Sequence, residues 1–334
     1  MRKMTWLCGA VALLALGFLG TAQAAEFPVK DFAGIIQWGA GGATDNIIRA
    51  TTPYVEKVMG KQIVLQNKTG ATGAVAMQWV HNQPADGYTL LMSAENPLLY
   101  RVLDISQLEY KDFYAVSVIA RNVGVVIAGN NTPWKNVGDL FADAKKNPGA
   151  IKMGSTGAGG LPHVVASMFK ATDGVTFNQI VYPGEGPSTT ALLGGHVQFS
   201  TVGLAAAREH IRAGRVKALA MISDTTVPTL ETVPLITATN PAYKKFLPWG
   251  PFYGVFVKKE TPEAIKKFLV DAYAKGLSDP KAQEFIKNFG SIYMGISGAE
   301  AEAFLNKWQS TTTWLLQDAG TTKFSPEKFG IPKP

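Results

Sequence analysis

Three glycine-rich segments carry the residues best suited to binding a small anion. Each stands between a predicted strand and the start of a predicted helix, where glycine lets the backbone approach a bound group closely. The first amides of a helix have no helical partners and lie at the positive end of its dipole, so peptide N–H groups and nearby hydroxyls can bind an anion there. The segments are Gly39-Ala40-Gly41-Gly42-Ala43-Thr44-Asp45, Thr69-Gly70-Ala71-Thr72-Gly73-Ala74 and Gly154-Ser155-Thr156-Gly157-Ala158-Gly159-Gly160.

A tight turn with an ordinary helix cap is the alternative for each segment taken alone. Three such turns at the carboxyl ends of strands favour a binding site, because open α/β sheets bind their ligands at that edge. Each charge-assisted hydrogen bond contributes about 1.5–3 kcal/mol. About four to six of them would give roughly micromolar affinity after the costs of association and closure, without any arginine.

Nucleotide, metal and hydrolytic sites are disfavoured by the motifs that the chain lacks. None of the three segments has the Gly-Lys-Ser/Thr ending of a P-loop or a full G-x-G-x-x-G. Ser155 does not fit the G-x-S-x-G nucleophile elbow, so we interpret it as a hydrogen-bond donor. The four histidines, His81, His163, His196 and His210, do not have the spacing of metal ligands. Only His163, at the start of a predicted helix, is a candidate ligand contact. We expect no cofactor, no metal and no enzyme activity.

Composition and charge exclude two further classes of protein. The chain has 334 residues, of which 46% are hydrophobic and 17% charged, so it is globular and long enough for two lobes with their own cores. Its formal charge of +7 comes with scattered lysine doublets rather than a basic stripe. Such a pattern does not indicate a nucleic-acid binder.

The first 24 residues have the pattern of an export signal. Arg2 and Lys3 precede an apolar run over residues 6–20, and Ala22-Gln23-Ala24 has the small-x-small form of a cleavage site. A membrane anchor is the alternative, but the run is shorter than the ~20 apolar residues that span a bilayer. We expect cleavage after Ala24. Cys8 is the only cysteine and leaves with the signal, which excludes disulfides and thiolate chemistry in the mature chain.

Short apolar segments alternate with helical patterns, which predicts an α/β fold with parallel strands. Strands over 35–38, 63–66 and 88–92 alternate with helices, and a hairpin-like pair over 114–120 and 123–128 leads to a second α/β set. One more strand, over 254–257, precedes three closing helices that need a partner core. We therefore predict a first lobe of residues 25–121 and 250–334 and a second of 122–249. Two crossings make a hinge, and hinges close on ligands.

Several motifs, ordered along nearly the whole mature chain, resemble the Bug family. These are the extracytoplasmic substrate-binding proteins of tripartite tricarboxylate transporters. The resemblance implies a monomeric, two-lobed periplasmic binding protein of type II that closes on a small mono- or dicarboxylate, aromatic ones included, and delivers it to membrane permease subunits. The motifs are Gly41-Gly42-Ala43-Thr44-Asp45, Pro84-Ala85-Asp86-Gly87-Tyr88-Thr89-Leu90-Leu91, Asn96-Pro97-Leu98-Leu99-Tyr100, Tyr182-Pro183-Gly184-Glu185-Gly186-Pro187 and Ala191-Leu192-Leu193-Gly194-Gly195.

The resemblance also implies a set of ligand contacts held by amides and hydroxyls. Ser93 is a further candidate, in a segment, 92–96, that looks shorter than its family counterpart, and a shortened rim would admit a longer or aromatic ligand. In lobe one the contacts are Gly41, Gly42, Thr44, Asp45, Thr72 and Gly73. In lobe two they are Ser155, Thr156, Gly157, His163, Tyr182, Gly184 and Ser188.

Two candidate site residues depart from the family pattern. Trp38 precedes the glycine pair and either walls the pocket or fills the core. Glu185 stands where a small residue is common. Pointing inward, it would oppose a second carboxylate or pair with an amine. Pointing outward, it would be solvated, and we favour this because unpaired buried acids are rare.

Two other functions stay open at the level of the sequence. A ligand-sensing protein that docks on a signalling receptor would need the same closure as a transport protein. An exported α/β enzyme is the weaker alternative, because no nucleophile and base are recognisable.

Overall fold

The computed structural model describes residues 27–227 and 230–334. The predicted signal peptide, residues 1–24 with Cys8, lies outside them. The strands are β1 (Phe32–Ile36), β2 (Ile63–Asn67), β3 (Thr89–Ala94), β4 (Phe113–Asn122), β5 (Gly124–Gly129), β6 (Lys152–Ser155), β7 (Asn178–Val181), β8 (Phe199–Gly203), β9 (Val216–Ile222), β10 (Phe252–Lys258) and β11 (Ser291–Ile296). The α-helices are α1 (Ala43–Met59), α2 (Ala74–His81), α3 (Tyr100–Leu103), α4 (Val137–Lys146), α5 (Leu161–Asp173), α6 (Glu185–Leu193), α7 (Leu204–Arg212), α8 (Ile236–Thr239), α9 (Glu263–Leu277), α10 (Pro280–Asn288) and α11 (Gly298–Asp318).

These strands form two mixed sheets, one in each lobe. The first has the order β11-β4-β10-β3-β1-β2 and the second β7-β6-β8-β5-β9. Strand β1 runs parallel to β2 and β3, and β6 runs parallel to β7 and β8, as the βαβ rhythm predicts. The remaining pairs are antiparallel. The predicted two-lobed α/β fold is confirmed.

The expected hairpin of β4 and β5 is wrong. Strand β4 pairs with β10 and β11 in the first sheet, whereas β5 pairs with β8 and β9 in the second. Two apolar runs separated by a short gap are typical of a hairpin. Here both strands are largely buried and each has two neighbours in its own sheet, so the gap is a crossing between the sheets.

The two crossings lie side by side. The Asn122 peptide nitrogen donates to Pro251 O at 2.8 Å, and the Asn122 side-chain amide donates to Ser291 Oγ at 2.8 Å. A β-carbon at Gly250 would lie 2.0 Å from Asn122 O, so glycine is needed for this approach. The chain thus leaves the first sheet and returns to it at adjacent points.

Helix α1 follows the first glycine-rich turn and positions it, because the helix is fixed by its buried face and by its last turn. Its apolar face, which includes Ile47, Val55 and Met59, is buried as its periodicity predicts. Each such side chain contributes about 1.5–3 kcal/mol when fully buried. The helix ends at Gly60, whose φ is 66° and whose N–H donates to Glu56 O at 2.8 Å.

The three closing helices pack in different ways. Helices α9 and α10 both pack on α1 of the first lobe. Helix α11 packs on β4 of the first sheet and also on α5 beside the second. Trp308 of α11 donates from Nε1 to Gly250 O at 2.9 Å, next to the crossings. Since α11 contacts both lobes, the assignment of residues 250–334 to lobe one alone stays a prediction.

Candidate ligand-binding site

The three glycine-rich segments are strand-to-helix turns, as predicted, and two of them meet across the lobes. They connect β1 to α1, β2 to α2 and β6 to α5. In the second turn Ala71 has φ 45° and Thr72 has φ 54°, a left-handed backbone that costs about 1–2 kcal/mol for a residue other than glycine. Thr72 Oγ1 donates to Ala158 O of the third turn at 2.7 Å. The second and third turns are therefore in direct contact.

The first turn packs against the segment that precedes α6 in the second lobe. Gly39 N donates to Pro183 O at 3.2 Å. A β-carbon at Gly184 would lie 2.9 Å from Gly39 N, and one at Gly186 would lie 2.3 Å from Ala40 O. Backbone meets backbone here with no room for a side chain, so the structure is a closed conformation.

A small cavity lies between the closed lobes. Its volume is about 20 Å³, roughly enough for one water molecule. Both lobes contribute to its wall. The lining residues are Trp38, Gly42, Ala43, Thr44, Ala94, Glu95, Thr156, Leu161, Glu185, Pro251 and Tyr253.

Glu185 points into this cavity, so the expectation of an outward, solvated side chain is wrong. Its Oε1 accepts from Gly203 N at 2.9 Å and its Oε2 accepts from Ala43 N at 3.3 Å. These amides stand at the start of α7 and of α1, where N–H groups favour a carboxylate. Burial raises the pKa of Glu185 to about 7, although the two N–H groups lower it in part. The acid is thus paired, but with the backbone.

Glu95 is the second acid of the cavity, and sequence reasoning does not find it. The residue is 2% exposed, and Asn96 Nδ2 donates to its Oε1 at 3.3 Å. Burial is the main cause that raises the pKa of Glu95 to about 8. The Glu185 charge contributes to the rise, and the peptide N–H groups of Glu95 and Phe252 oppose it. Neither of these peptide N–H groups lies in hydrogen-bond geometry with Glu95 Oε2, and this oxygen has no hydrogen-bond partner among the described residues.

Two aromatic side chains complete the wall. Trp38 lines the cavity and also packs in the core of the first lobe, and its Nε1 donates to Asn96 Oδ1 at 3.1 Å. Both alternatives for Trp38 therefore hold. The Tyr253 hydroxyl makes no hydrogen bond within the described chain, although Asn122 lies nearby. Burial, together with Glu185 and Glu95, holds the pKa of Tyr253 well above its ordinary value, so the phenol keeps its proton.

Most amides of the first turn are already bonded, so the expectation of unpaired N–H groups is wrong there. Gly41 N donates to Asp45 Oδ2 at 3.0 Å, and Ala43 N donates to Glu185 as described above. Gly39 N donates to Pro183 O. Two of these three amides donate to carboxylate oxygens of the protein itself, which belong to Asp45 of α1 and Glu185 of α6. The start of α1 does hold a carboxylate, but one that belongs to the protein.

Five of the predicted contacts line the cavity. Thr44 and Thr156, both buried, approach it from opposite lobes, so hydroxyls can act from both sides. The five are Trp38, Gly42, Thr44, Thr156 and Glu185.

Other predicted contacts build the turns instead of lining the cavity. Asp45 Oδ1 accepts from Arg49 Nε at 2.8 Å and from Asn67 Nδ2 at 2.9 Å, and its Oδ2 holds Gly41 N. With both oxygens engaged and 3% of the residue exposed, Asp45 fixes the first turn. Gly73 has φ 94°, and a β-carbon there would lie 2.7 Å from Gln37 Cδ. Gly41, Thr72, Gly157 and Gly184 likewise serve turns and lobe contacts.

The remaining predicted contacts are in polar networks or packed elsewhere. Ser93 hydrogen-bonds Gln37 and Tyr110 in the core. The Ser155 hydroxyl donates to Gln179 Oε1 at 2.8 Å, and Ser188 pairs with Ser200 at 3.1 Å. His163 Nδ1 accepts from Gly159 N at 3.2 Å, and burial lowers the pKa of this histidine to about 4. Tyr182 packs against a cluster inside the second lobe.

Sequence reasoning misses six lining residues, and the two polar ones among them, Glu95 and Tyr253, come from segments distant in the chain. Glu95 follows β3, and Tyr253 lies on β10, which returns antiparallel to β3 and pairs Tyr253 with Ala94. An acid directly before Asn96-Pro97, at the end of a buried strand, is the available signal for Glu95. Ala43, Ala94, Leu161 and Pro251 complete the set.

The described residues include neither a candidate metal centre nor a candidate membrane span. In residues 27–227 and 230–334, no group of three or more metal-binding side chains is placed to hold an ion. Over the same ranges, no helix has both the length and the apolar character needed to cross a bilayer.

The chain is similar to a group of known proteins over most of its length. A family model described as "Tripartite tricarboxylate transporter family receptor" matches residues 47–316. Protein BugT of Bordetella pertussis is 28% identical over 259 residues, which are 76% of this chain and 78% of that protein. The solved periplasmic binding protein BugD has a TM-score of 0.80 at 28% identity, covering 92% of this chain and 100% of that one. The R. palustris protein Rpa4515 with adipate shares the fold, with a TM-score of 0.81 at 23% identity over 88% of this chain and 99% of that one.

Proposed function

The chain belongs to the tripartite tricarboxylate transporter receptor family, and from this premise we propose that it captures a small carboxylate between its lobes for delivery to a tripartite tricarboxylate transporter. The resemblance to the Bug family is confirmed by the same match and by the likeness to BugT and BugD. Family members are solute-binding proteins, and we assign the chain no catalytic step.

The Glu185 carboxylate between two helix starts is the observation that carries this function. It accepts from Ala43 N of the first lobe and Gly203 N of the second, at 3.3 and 2.9 Å. A place that holds a carboxylate of the protein has the right chemistry for a carboxylate of a ligand. The ligand would displace Glu185 from Ala43 N and add the hydroxyls of Thr44 and Thr156.

Entry of a ligand requires the lobes to separate. The cavity of about 20 Å³ is smaller than any carboxylic acid, and backbone contacts such as that of Gly186 with Ala40 O close its rim. The adjacent crossings at Asn122 and Pro251 are suited to act as the hinge. We propose the lobe boundaries 25–121 with 250–334 and 122–249, which the membership of the strands in two sheets supports.

The place of action and the partners also belong to the proposal. The signal-like residues 1–24 and the described likeness to a periplasmic binding protein support export to the periplasm with cleavage after Ala24. There the chain would act as a monomer and pass its ligand to membrane permease subunits. The adipate in the R. palustris relative supports a carboxylate as the class of ligand.

Isothermal titration of the chain from Ala25 onward, stripped of ligand by unfolding and refolding, tests the function. The panel is adipate, succinate, propionate and benzoate. A β-carbon at Gly42 would lie 3.4 Å from Gly39 O and 3.7 Å from Glu185, so alanine fits there whereas valine would fill the cavity. We expect binding that Gly42→Val weakens about a hundredfold and that Gly42→Ala keeps. No binding by any acid of a broad panel would contradict the function, and unchanged binding in Gly42→Val would remove the first turn from the site.

A further inference from the structure

The cavity is acidic, and its wall has no positive side chain. Glu95 and Glu185 contribute carboxyl groups from opposite lobes, while the other lining residues are apolar, aromatic or hydroxyl-bearing. Within the part of the chain that the structure describes, no lysine, arginine or histidine belongs to this wall. A second carboxylate on the ligand would stay ionised here only beside acids that keep their protons, whereas a positive group would favour the ionised form of both acids.

One carboxyl oxygen in this wall lacks a partner. Glu95 is 2% exposed, and its Oε2 accepts no hydrogen bond from the described residues, whereas Oε1 is held by Asn96. Folded proteins rarely leave a buried polar atom unpaired, and each exception calls for an explanation. A hydrogen-bond donor on the ligand would satisfy this oxygen.

Glu185 offers a second acceptor once a ligand is bound. Its Oε2 is held by Ala43 N at 3.3 Å, the longer of its two hydrogen bonds. When a ligand carboxylate takes Ala43 N, this oxygen is released into the same cavity that Glu95 lines. Two carboxylate oxygens then face one small space walled by Trp38 and Tyr253. Aromatic faces also attract cations.

We propose that the ligand is a zwitterionic amino acid whose carboxylate binds at the start of α1 and whose ammonium group binds between Glu95 and Glu185. This rests on the carboxylate-binding function proposed above and specifies the class of ligand. An ammonium group has three donors and one positive charge. It therefore matches the unpaired Glu95 oxygen and the released Glu185 oxygen, and its positive charge favours the ionised form of both acids, which a neutral donor does not do.

Titration with pairs of acids that differ by one amine tests the assignment. The pairs are β-alanine and propionate, L-aspartate and succinate, L-glutamate and glutarate, 4-aminobutyrate and butyrate, and 4-(aminomethyl)benzoate and 4-methylbenzoate. In at least one pair we expect the amine-bearing acid to bind about tenfold or more tightly than its partner. If the acid without the amine binds as tightly or more tightly in every pair that binds, the ammonium site is wrong while the carboxylate function stands. If none of these acids binds, both fail.

Substitution of Glu95 separates an ammonium site from a merely structural acid. Glu95→Gln keeps the size of the side chain and removes the carboxyl group that an ammonium ligand would hold in its ionised form. We expect the affinity for the amine-bearing acid to fall about tenfold or more and that for its partner to stay within a factor of about two. Glu109→Gln is the matched control, because Glu109 pairs with Arg101 and Lys111 outside this cavity. An unchanged ratio of the two affinities in Glu95→Gln, with thermal unfolding confirming a folded protein, would overturn the ammonium site.

Discussion

Glu185 of the second lobe accepts the peptide N–H of Ala43 in the first lobe, with 3.3 Å between Oε2 and the nitrogen. Its other oxygen accepts from Gly203 N, within its own lobe. The side chain is therefore anchored to one lobe and reaches across to the first residue of α1. In the closed protein without a ligand, this acid supplies the negative charge that the start of α1 favours.

Removal of this acid should favour the open protein when no ligand is bound. Glu185→Ala breaks a charge-assisted hydrogen bond between the lobes, which contributes about 1.5–3 kcal/mol, so the ratio of closed to open molecules should fall about tenfold or more. Small-angle scattering of the ligand-free variant should give a larger radius of gyration than the parent. Glu209→Ala is the control, because Glu209 is exposed and pairs with Arg212 of its own helix. Equal radii for Glu185→Ala and the parent would show that this contact does not hold the lobes.

Gly186 should be required for closure rather than for folding. A β-carbon there would lie 2.3 Å from Ala40 O and 3.0 Å from Gly41 C, both backbone atoms of the other lobe. Gly186→Ala should weaken carboxylate binding about tenfold or more. It should lower the free energy of unfolding of the ligand-free protein only by the free energy of opening the lobes, since an open protein avoids the clash. Gly124→Ala is the control, because its new methyl group would meet Ile222 at an ordinary 3.4 Å. Unaltered binding in Gly186→Ala would argue that the bound form is less closed than this structure.

The second turn contains strain that a glycine should relieve. Ala71 is exposed and has φ 45°, a conformation that disfavours alanine by about 1–2 kcal/mol. Ala71→Gly should therefore raise the free energy of unfolding by about 1 kcal/mol, although the same change usually destabilises. Urea unfolding measures it. Ala264→Gly in α9, also exposed but helical, should lower the same quantity by about 1 kcal/mol. A loss of stability at both positions would mean that Ala71 is not strained.

Local chemistry could be predicted from the sequence, and contacts between distant segments could not. Glycine runs before helices locate all three turns, because left-handed backbone and helix starts depend on neighbouring residues. Thr44 and Thr156 belong to these turns and are found for that reason. Glu95 and Tyr253 meet only because β10 returns beside β3, which no local pattern indicates. The direction of Glu185 depends on amides in two other elements.

The same limit explains the errors in the fold. Strands β4 and β5 follow each other as two halves of a hairpin would, but their partners, β10 and β8, lie far along the chain. Two further strands are missed: β11, which pairs antiparallel with β4, and β9, which pairs antiparallel with β5. By contrast, α4 has the predicted bounds, Val137–Lys146, because the Asn136 side chain caps its start and its apolar period is regular.

The raised pKa of Glu95 should make the protein less stable as the pH rises. Burial, with the Glu185 charge, moves this pKa from an ordinary 4.5 to about 8, so between these values the folded protein keeps a proton that the unfolded chain has released. The free energy of unfolding then falls with pH by up to about 1.4 kcal/mol per unit for one group. Glu185 adds to this fall up to its pKa of about 7. His163 opposes it below pH 6.5, because the folded protein takes up that proton only near pH 4.

In the interval from pH 7 to 8, Glu95 therefore contributes more to the fall than the other two groups. The tyrosines that face this acid, Tyr100, Tyr110 and Tyr253, keep their protons there, since burial holds each pKa well above its ordinary value. Urea unfolding of the ligand-free parent should show a loss of about 1 kcal/mol across this interval. Glu95→Gln, in which Glu185 alone of the two acids still loses a proton, should show a clearly smaller loss. Glu109→Gln should lose as much as the parent. A flat parent profile, or an equal loss in Glu95→Gln, would mean that the Glu95 carboxyl group is already ionised in the folded protein at neutral pH.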